Sequence, residues 1–135
     1  MAQQIFLVRH GETEWSRSGQ HTGRTDIPLT AEGQAQAQGL GRFLRGKELS
    51  VRTSPLIRAR EPCRLAGYAS DAVVDDDLRE WDYGIYEGRT TLEIRKENPD
   101  WSIWLSPIPN GESLEQVAAR ARQVIARAVE AETDV

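Results

Sequence analysis

Cysteine is almost missing from this sequence: Cys63 stands alone, so no disulfide closes within the chain and no cysteine-based zinc site is available. Histidine is nearly as scarce. With His10 and His21 only, a multi-histidine metal centre is excluded, and no metal or cofactor is expected. No apolar run approaches the ~20 residues needed to cross a bilayer, and no apolar leader precedes Arg9. A basic excess is missing too. Lys+Arg number 17 against 21 Asp+Glu, giving a formal net charge of −4 and a pI near 5.2, which argues against broad electrostatic binding of nucleic acid. These absences point to a cytoplasmic protein of a reducing compartment, with neither membrane nor nucleic acid as partner. A homo-oligomer is left open. Any anion site must be a local gathering of arginines in an acidic protein.

What is present is a chain of 135 residues, expected as one domain over 1–135, without repeats or low-complexity tracts. Its organising stretch lies near the start. Ile5 to Val8 reads as a short strand that delivers Arg9-His10-Gly11 to a loop at its end. Arg9 is a permanent cation whose fork suits phosphate or carboxylate. His10 can serve as nucleophile, base or ligand near neutral pH. Gly11 permits a tight turn or a close approach to a ligand. Taken alone, the triplet is equally an ordinary basic turn.

Downstream, His21-Thr22-Gly23-Arg24-Thr25-Asp26 has no helical or strand period and reads as a loop. Amides freed by Gly23, the hydroxyls of Thr22 and Thr25 and the cation of Arg24 suit an anion, the alternative being a solvated turn. Thr30 is an N-cap for a helix beginning at Ala31, whose Ala37, Leu40, Gly41 and Leu44 form a narrow apolar stripe expected to pack on a sheet. Leu49 to Thr53 is a second strand. Ser54 at N-cap and Pro55 at the first helical position start the next helix, placing Arg58 near its positive end beside free amides. Arg60 and Arg64 fall on exposed faces, and Pro62 keeps this helix short or kinked.

Ala72 to Val74 is a third strand, running into Asp75-Asp76-Asp77, read as a solvated turn. Trp81 to Gly88 is aromatic, acidic and glycine-bearing, as in a structured functional loop. Thr90 with Glu93, and Ser113 with Gln116, form capping boxes, opening helices to about Asn98 and Glu132. Between them, Trp101 and Trp104 are read as core or lid aromatics. Alternating strands and helices give an α/β domain with a largely parallel sheet. Arg9, His10 and Arg58 all follow strands and can converge on one sheet edge, where such folds bind ligands.

These residues resemble the histidine phosphatase superfamily, which has the phosphoglycerate mutase-like fold. Arg9-His10-Gly11-Glu12-Thr13 matches its signature, and Thr22-Gly23 to Asp26 with Leu29-Thr30 its phosphate loop. Ser54-Pro55-Leu56-Ile57-Arg58-Ala59 resembles its second arginine motif, with Glu61 and Pro62 where glutamine and threonine usually continue. Leu78-Arg79-Glu80, Gly84 and Glu87-Gly88 resemble its acid-bearing loop, and Gly111-Glu112-Ser113 the entry to its late helix. The motifs keep the family's order over nearly the whole chain. The segment from Asp77 to Gly88 is similar to the phosphatase branch. The mutase pattern carries a longer insertion, and an asparagine where this chain has Ser16. The pattern is most similar to sugar-phosphate phosphatases of the sedoheptulose-bisphosphatase-like type.

The resemblance implies a three-layer α/β/α fold with a mostly parallel sheet and a metal-independent phosphomonoesterase acting on a small phosphate ester, a sugar (bis)phosphate. His10 would take the phosphoryl group as a phosphohistidine. Glu80 would be the acid and base, its task favoured by desolvation from Trp81 or Tyr83. Arg9, Ser16, Thr22, Gly23, Arg58 and Tyr83 would bind the substrate. The family also uses a second histidine, in a turn after the strand that follows the late helix. This sequence stops at Val135, so the resemblance implies a C-terminally truncated chain that folds marginally and catalyses poorly. An intact mass near 15.2 kDa with full turnover would refute that. Two further readings stay open: a phosphoglycerate mutase, and a phosphate-binding module with impaired catalysis. A metal-dependent phosphatase of the haloacid dehalogenase type is mimicked by Val73-Val74-Asp75-Asp76-Asp77 but lacks the threonine that should follow the aspartate pair.

Overall fold

A computed structural model describes residues 2–135. The helices are α1 (Glu14–Ser18), α2 (Ala31–Leu44), α3 (Ile57–Leu65), α4 (Thr91–Glu97) and α5 (Leu114–Glu130); the strands are β1 (Arg52–Thr53) and β2 (Val73–Val74). Two 3-10 turns, Asp76–Leu78 and Gly84–Tyr86, complete the elements. Among the described residues no helix is long and apolar enough to cross a membrane.

The helix starts follow the capping chemistry. The Thr30 hydroxyl accepts from Gly33 N at 3.1 Å, and reciprocal capping boxes form at Thr90–Glu93 and Ser113–Gln116. The start of α3 differs from the sequence expectation. It begins at Ile57, with Leu56 at N-cap, because Asp26 reaches across the fold and takes the Ile57 amide at 2.7 Å. Ser54 instead caps the turn before the helix, its hydroxyl accepting from Leu56 N at 3.4 Å. Pro62 sits inside this nine-residue helix, which is short as expected.

The chain is α/β with a parallel pair: β1 and β2 join through α3, in register Arg52↔Val73 and Thr53↔Val74. The strand expected over 5–8 is only an extended segment. Phe6 N donates to Val135 O (2.7 Å) and Val135 N to Gln4 O (3.0 Å), while Ser50 N donates to Asp134 O (2.8 Å). Residues 134–135 thus stand between the first segment and the chain entering β1. One pair of rungs does not make a ladder, and Leu7 is 94% exposed. Apolar side chains from both segments line a cavity between them.

The aromatic cluster lies away from this sheet. Trp81, Tyr86, Ile94, Trp101 and Ile108 are buried together, with Tyr83, Ile103 and Val117 against them. Trp101 is a core residue, whereas Trp104 lies exposed, edge-on to Trp81 at 6.0 Å. The small-residue stripe of α2 meets α3 rather than the sheet: a Cβ on Gly41 would lie 3.0 Å from Ala66 Cα. Asp75 is buried, not solvated. Arg127 of α5 grips its carboxylate with two 3.0 Å bonds and reaches Asp77 at 2.7 Å, docking the late helix onto the end of β2.

Candidate active site

Loop 9–13 is anchored on the first turn of α2 through two glycines. A Cβ on Gly11 would lie 2.6 Å from Gly33 O, and one on Gly33 would lie 2.2 Å from Glu12 O. The bare backbones therefore touch, and Thr30 N bonds to Glu12 O at 2.9 Å. Thr13 is fully buried and caps α1. Within this anchored loop, His10 Nδ1 lies 2.7 Å from the Gly11 carbonyl oxygen. A carbonyl only accepts, so the proton belongs on Nδ1 and Nε2 presents a free lone pair. Burial is the main cause lowering His10 below its usual 6.5. The Gly11 bond opposes it, Arg58 and Arg9 add to it, and Glu80 opposes it.

Arg58, on the first turn of α3, is 2% exposed. It donates to the carbonyls of Thr25 (2.9 Å), Gly23 (2.7 Å) and Thr22 (3.3 Å), threading the loop expected to bind phosphate. Three of its five N–H groups are so used, leaving two for a ligand. The loop amides have a different partner from the one expected. Glu87 Oε1 accepts from Gly23 N (2.8 Å) and Thr25 N (2.9 Å), so a carboxylate of the chain occupies the anion cradle. Its other oxygen is buried without a partner. Thr22 Oγ1 donates to Gln20 O at 3.2 Å, and Ser16 Oγ to Thr13 O at 3.0 Å. In this arrangement Ser16, Thr22 and Gly23 shape the loops rather than offer donors.

Gly23 is packed without slack: a Cβ there would lie 2.2 Å from Trp81 O and 2.8 Å from Glu87 Oε2. Gly23→Ala is expected to part the two loops and cost about 1–3 kcal/mol, read as a lower urea midpoint at unchanged slope. An unchanged midpoint would show that the loops separate freely.

Tyr83 is half-buried, its hydroxyl pushed up to about 12 by burial, then by Glu80 and Glu87, so it remains a protonated donor. Glu80 is exposed, so the expected desolvation by Trp81 or Tyr83 is not delivered; its Oε1 accepts from Trp81 N at 2.9 Å. Arg9, His10, Arg58 and Glu80 nevertheless line one cavity of about 530 Å³. His21 lies elsewhere, between Tyr83 (4.9 Å) and Trp101 (5.3 Å), with Nε2 3.3 Å from Thr91 Oγ1. Among the described residues His10 is the only histidine lining that cavity.

Sequence reasoning missed Asp26, Glu87, Glu112 and Arg120 as builders of the site. Each acts across more than 30 residues or through backbone groups; Asp26, Glu87 and Glu112 stand in family motifs that gave them no role of their own, and Arg120 stands in none.

The histidine phosphatase superfamily (branch 1) profile matches residues 5–135. An acid phosphatase of Mycobacterium tuberculosis is 45% identical over 129 residues, covering 93% of this chain and 63% of that protein. A sedoheptulose 1,7-bisphosphatase of Saccharomyces cerevisiae is 43% identical over 147 residues, covering 90% and 54%. The solved structure of an open-reading-frame product of Mycobacterium tuberculosis superposes with TM-score 0.87 at 44% identity, covering 96% of this chain and 68% of that one. The chain thus spans less than two thirds of the length of these curated relatives. With the Arg-His-Gly loop, the buried second arginine and the acid loop set around one cavity, this chain belongs to the histidine phosphatase superfamily, branch 1.

Proposed function

We propose that this chain carries the phosphoryl-accepting part of a phosphomonoesterase whose substrate is a small phosphate ester, a sugar (bis)phosphate in particular. The observation that carries the reading is the Nδ1 contact of His10 with Gly11 O, which leaves Nε2 unprotonated on a residue that lines one cavity with Arg9, Arg58 and Glu80. Phosphatase relatives, one named for a sugar bisphosphate, support the substrate class.

In this reading His10 Nε2 attacks phosphorus in line, forming the P–N bond as the ester P–O bond breaks. Arg9 and the two uncommitted N–H groups of Arg58 neutralise the equatorial oxygens. Glu80 gives its proton to the leaving alkoxide. In the second step it takes a proton from water attacking the phosphohistidine, which releases inorganic phosphate and restores His10. Tyr83, held protonated, donates to substrate oxygen. Ser16, Thr22 and Gly23 hold the loops that position Arg58.

The test is phosphate release from a sugar bisphosphate, from 3-phosphoglycerate and from p-nitrophenyl phosphate in EDTA, with trapping of phosphoprotein. Release that survives EDTA, with an acid-labile label, is expected. Interconversion of phosphoglycerates without net release would favour a mutase. Neither release nor label would refute the reading.

A pH dependence follows from His10. Its imidazole loses the attacking lone pair on protonation, so labelling falls as pH drops, and burial places that fall below pH 6.5. Single-turnover labelling between about pH 5 and 8 checks it; a midpoint at or above 6.5 contradicts the burial.

A further inference from the structure

We propose that Arg120, on α5, is a positioning residue that sets where the Glu80 carboxylate stands relative to His10. The proposal rests on reading Glu80 as the acid and base. Arg120 Nη1 donates to the carbonyls of Asp77 (2.8 Å) and Arg79 (2.9 Å), fixing the backbone just before Glu80. Its Nε and Nη2 grip the Glu112 carboxylate at 2.7 Å each, a fork-to-fork pair that fixes orientation as well as distance. Glu112 carries the hold to the other side. Its Oε2 accepts from Asp82 N (2.9 Å), its N donates to Asp82 O (3.0 Å), and its carbonyl accepts from Trp81 Nε1 (2.8 Å).

Residues 77–79 are thus held by Arg120 directly and 81–82 through Glu112. Glu80 projects from between two fixed points, exposed, its carboxylate bonded among the described residues only to the adjacent Trp81 N. Such an arrangement locates a carboxylate without burying it. Docking of α5 does not depend on Arg120, because Arg127 independently binds Asp75 and Asp77. Loss of Arg120 therefore frees the acid loop while the late helix stays in place. The Arg120 and Glu112 side chains are 18% and 15% exposed, so the pair is shielded enough to stay formed in salt.

The chain's two histidines give a direct readout, since their ring protons titrate separately by NMR. The charges facing His10 are Arg9, Arg58 and Glu80; the one facing His21 is Glu87. Glu80→Gln removes the anion that favours the His10 imidazolium, so the His10 midpoint falls, on the order of 0.3 pH unit. Arg120→Met releases the loop and lowers His10 in the same direction. The sign is diagnostic, because deleting a cation by its charge alone would raise a histidine. The double variant goes no lower than Glu80→Gln, and His21 stays fixed throughout.

If Arg120→Met also moves His21, Arg120→Lys, which keeps the charge and loses the fork, takes its place and lowers His10 by less. A shift with Glu80→Gln, together with an unmoved or raised His10 in the Arg120 variant, overturns the role of Arg120 and leaves Glu80 standing. No shift with Glu80→Gln removes Glu80 from the face of His10 and overturns both.

Discussion

Substituting His10 by alanine is expected to abolish the acid-labile, base-stable label and to lower phosphate release by about 10⁴-fold or more, as loss of a covalent nucleophile does. The size follows from what remains. Arg9 and Arg58 still bind a phosphate, and Glu80 still offers a proton, but among the described residues no second histidine lines the cavity, and burial pushes the Cys63 thiol up, away from the nucleophilic thiolate. The fold should scarcely notice the change. Among the described residues the His10 ring bonds only to the neighbouring Gly11 carbonyl, and the loop is held by the Gly11–Gly33 contact and by Thr30. The measurement is labelling with a radioactive phosphate ester followed by acid and base challenge, beside a urea titration. A label that survives in His10→Ala would move the nucleophile elsewhere. His21 would then be the remaining histidine, and its packing between Tyr83 and Trp101 predicts that His21→Ala leaves the label intact.

How far the sequence foretold this site depends on how each residue acts. Local chemistry was readable. Thr30, Thr90 and Ser113 cap the helices expected of them, because a cap is decided within three residues. Arg9, His10, Arg58 and Glu80 were legible as chemical types in family motifs, and one cavity gathers them. Interactions across the chain were not readable. Glu87 lies 64 residues from Gly23 and takes the amides that composition assigned to a ligand. Asp26 lies 31 residues from Ile57 and displaces the start of α3 past Ser54 and Pro55. Asp75, one of three aspartates resembling a surface turn, is buried because Arg127 comes from α5, 52 residues on. The first strand is the converse case: its composition is right, but pairing is a property of neighbours, and among the described residues only Val135 bonds to it through the backbone.

Arg58→Met carries the second large expected effect, and it divides between stability and catalysis. The guanidinium is buried against three loop carbonyls, so an apolar replacement leaves those acceptors without partners and removes the link between α3 and loop 22–25. Leaving a buried acceptor unpaired costs about 1–3 kcal/mol, so losing three of them removes a large part of the ~5–15 kcal/mol that holds a domain together. Burial lowers the Arg58 pKa, opposed by Glu80, Asp26, Glu87 and Tyr83, yet arginine keeps its proton in proteins, so the lost interaction is that of a full cation. Labelling of His10 should fall by a further 10²–10³-fold, roughly the loss on removing one oxyanion donor, because the two uncommitted N–H groups vanish with the rest. Arg58→Lys separates the contributions. An ammonium can still bond one or two of the carbonyls but has no fork to span Thr22, Gly23 and Thr25 and face a phosphate at once. It should regain part of the stability and little of the rate. Urea unfolding followed by tryptophan fluorescence gives the first quantity, and single-turnover labelling of the folded fraction gives the second. If Arg58→Met lowered the rate while the urea midpoint stayed fixed, the loop carbonyls would be incidental and Arg58 a ligand clamp alone. If the midpoint fell while the labelling rate per folded molecule held, Arg58 would be a scaffold for the loop, and Arg9 alone would face the phosphate.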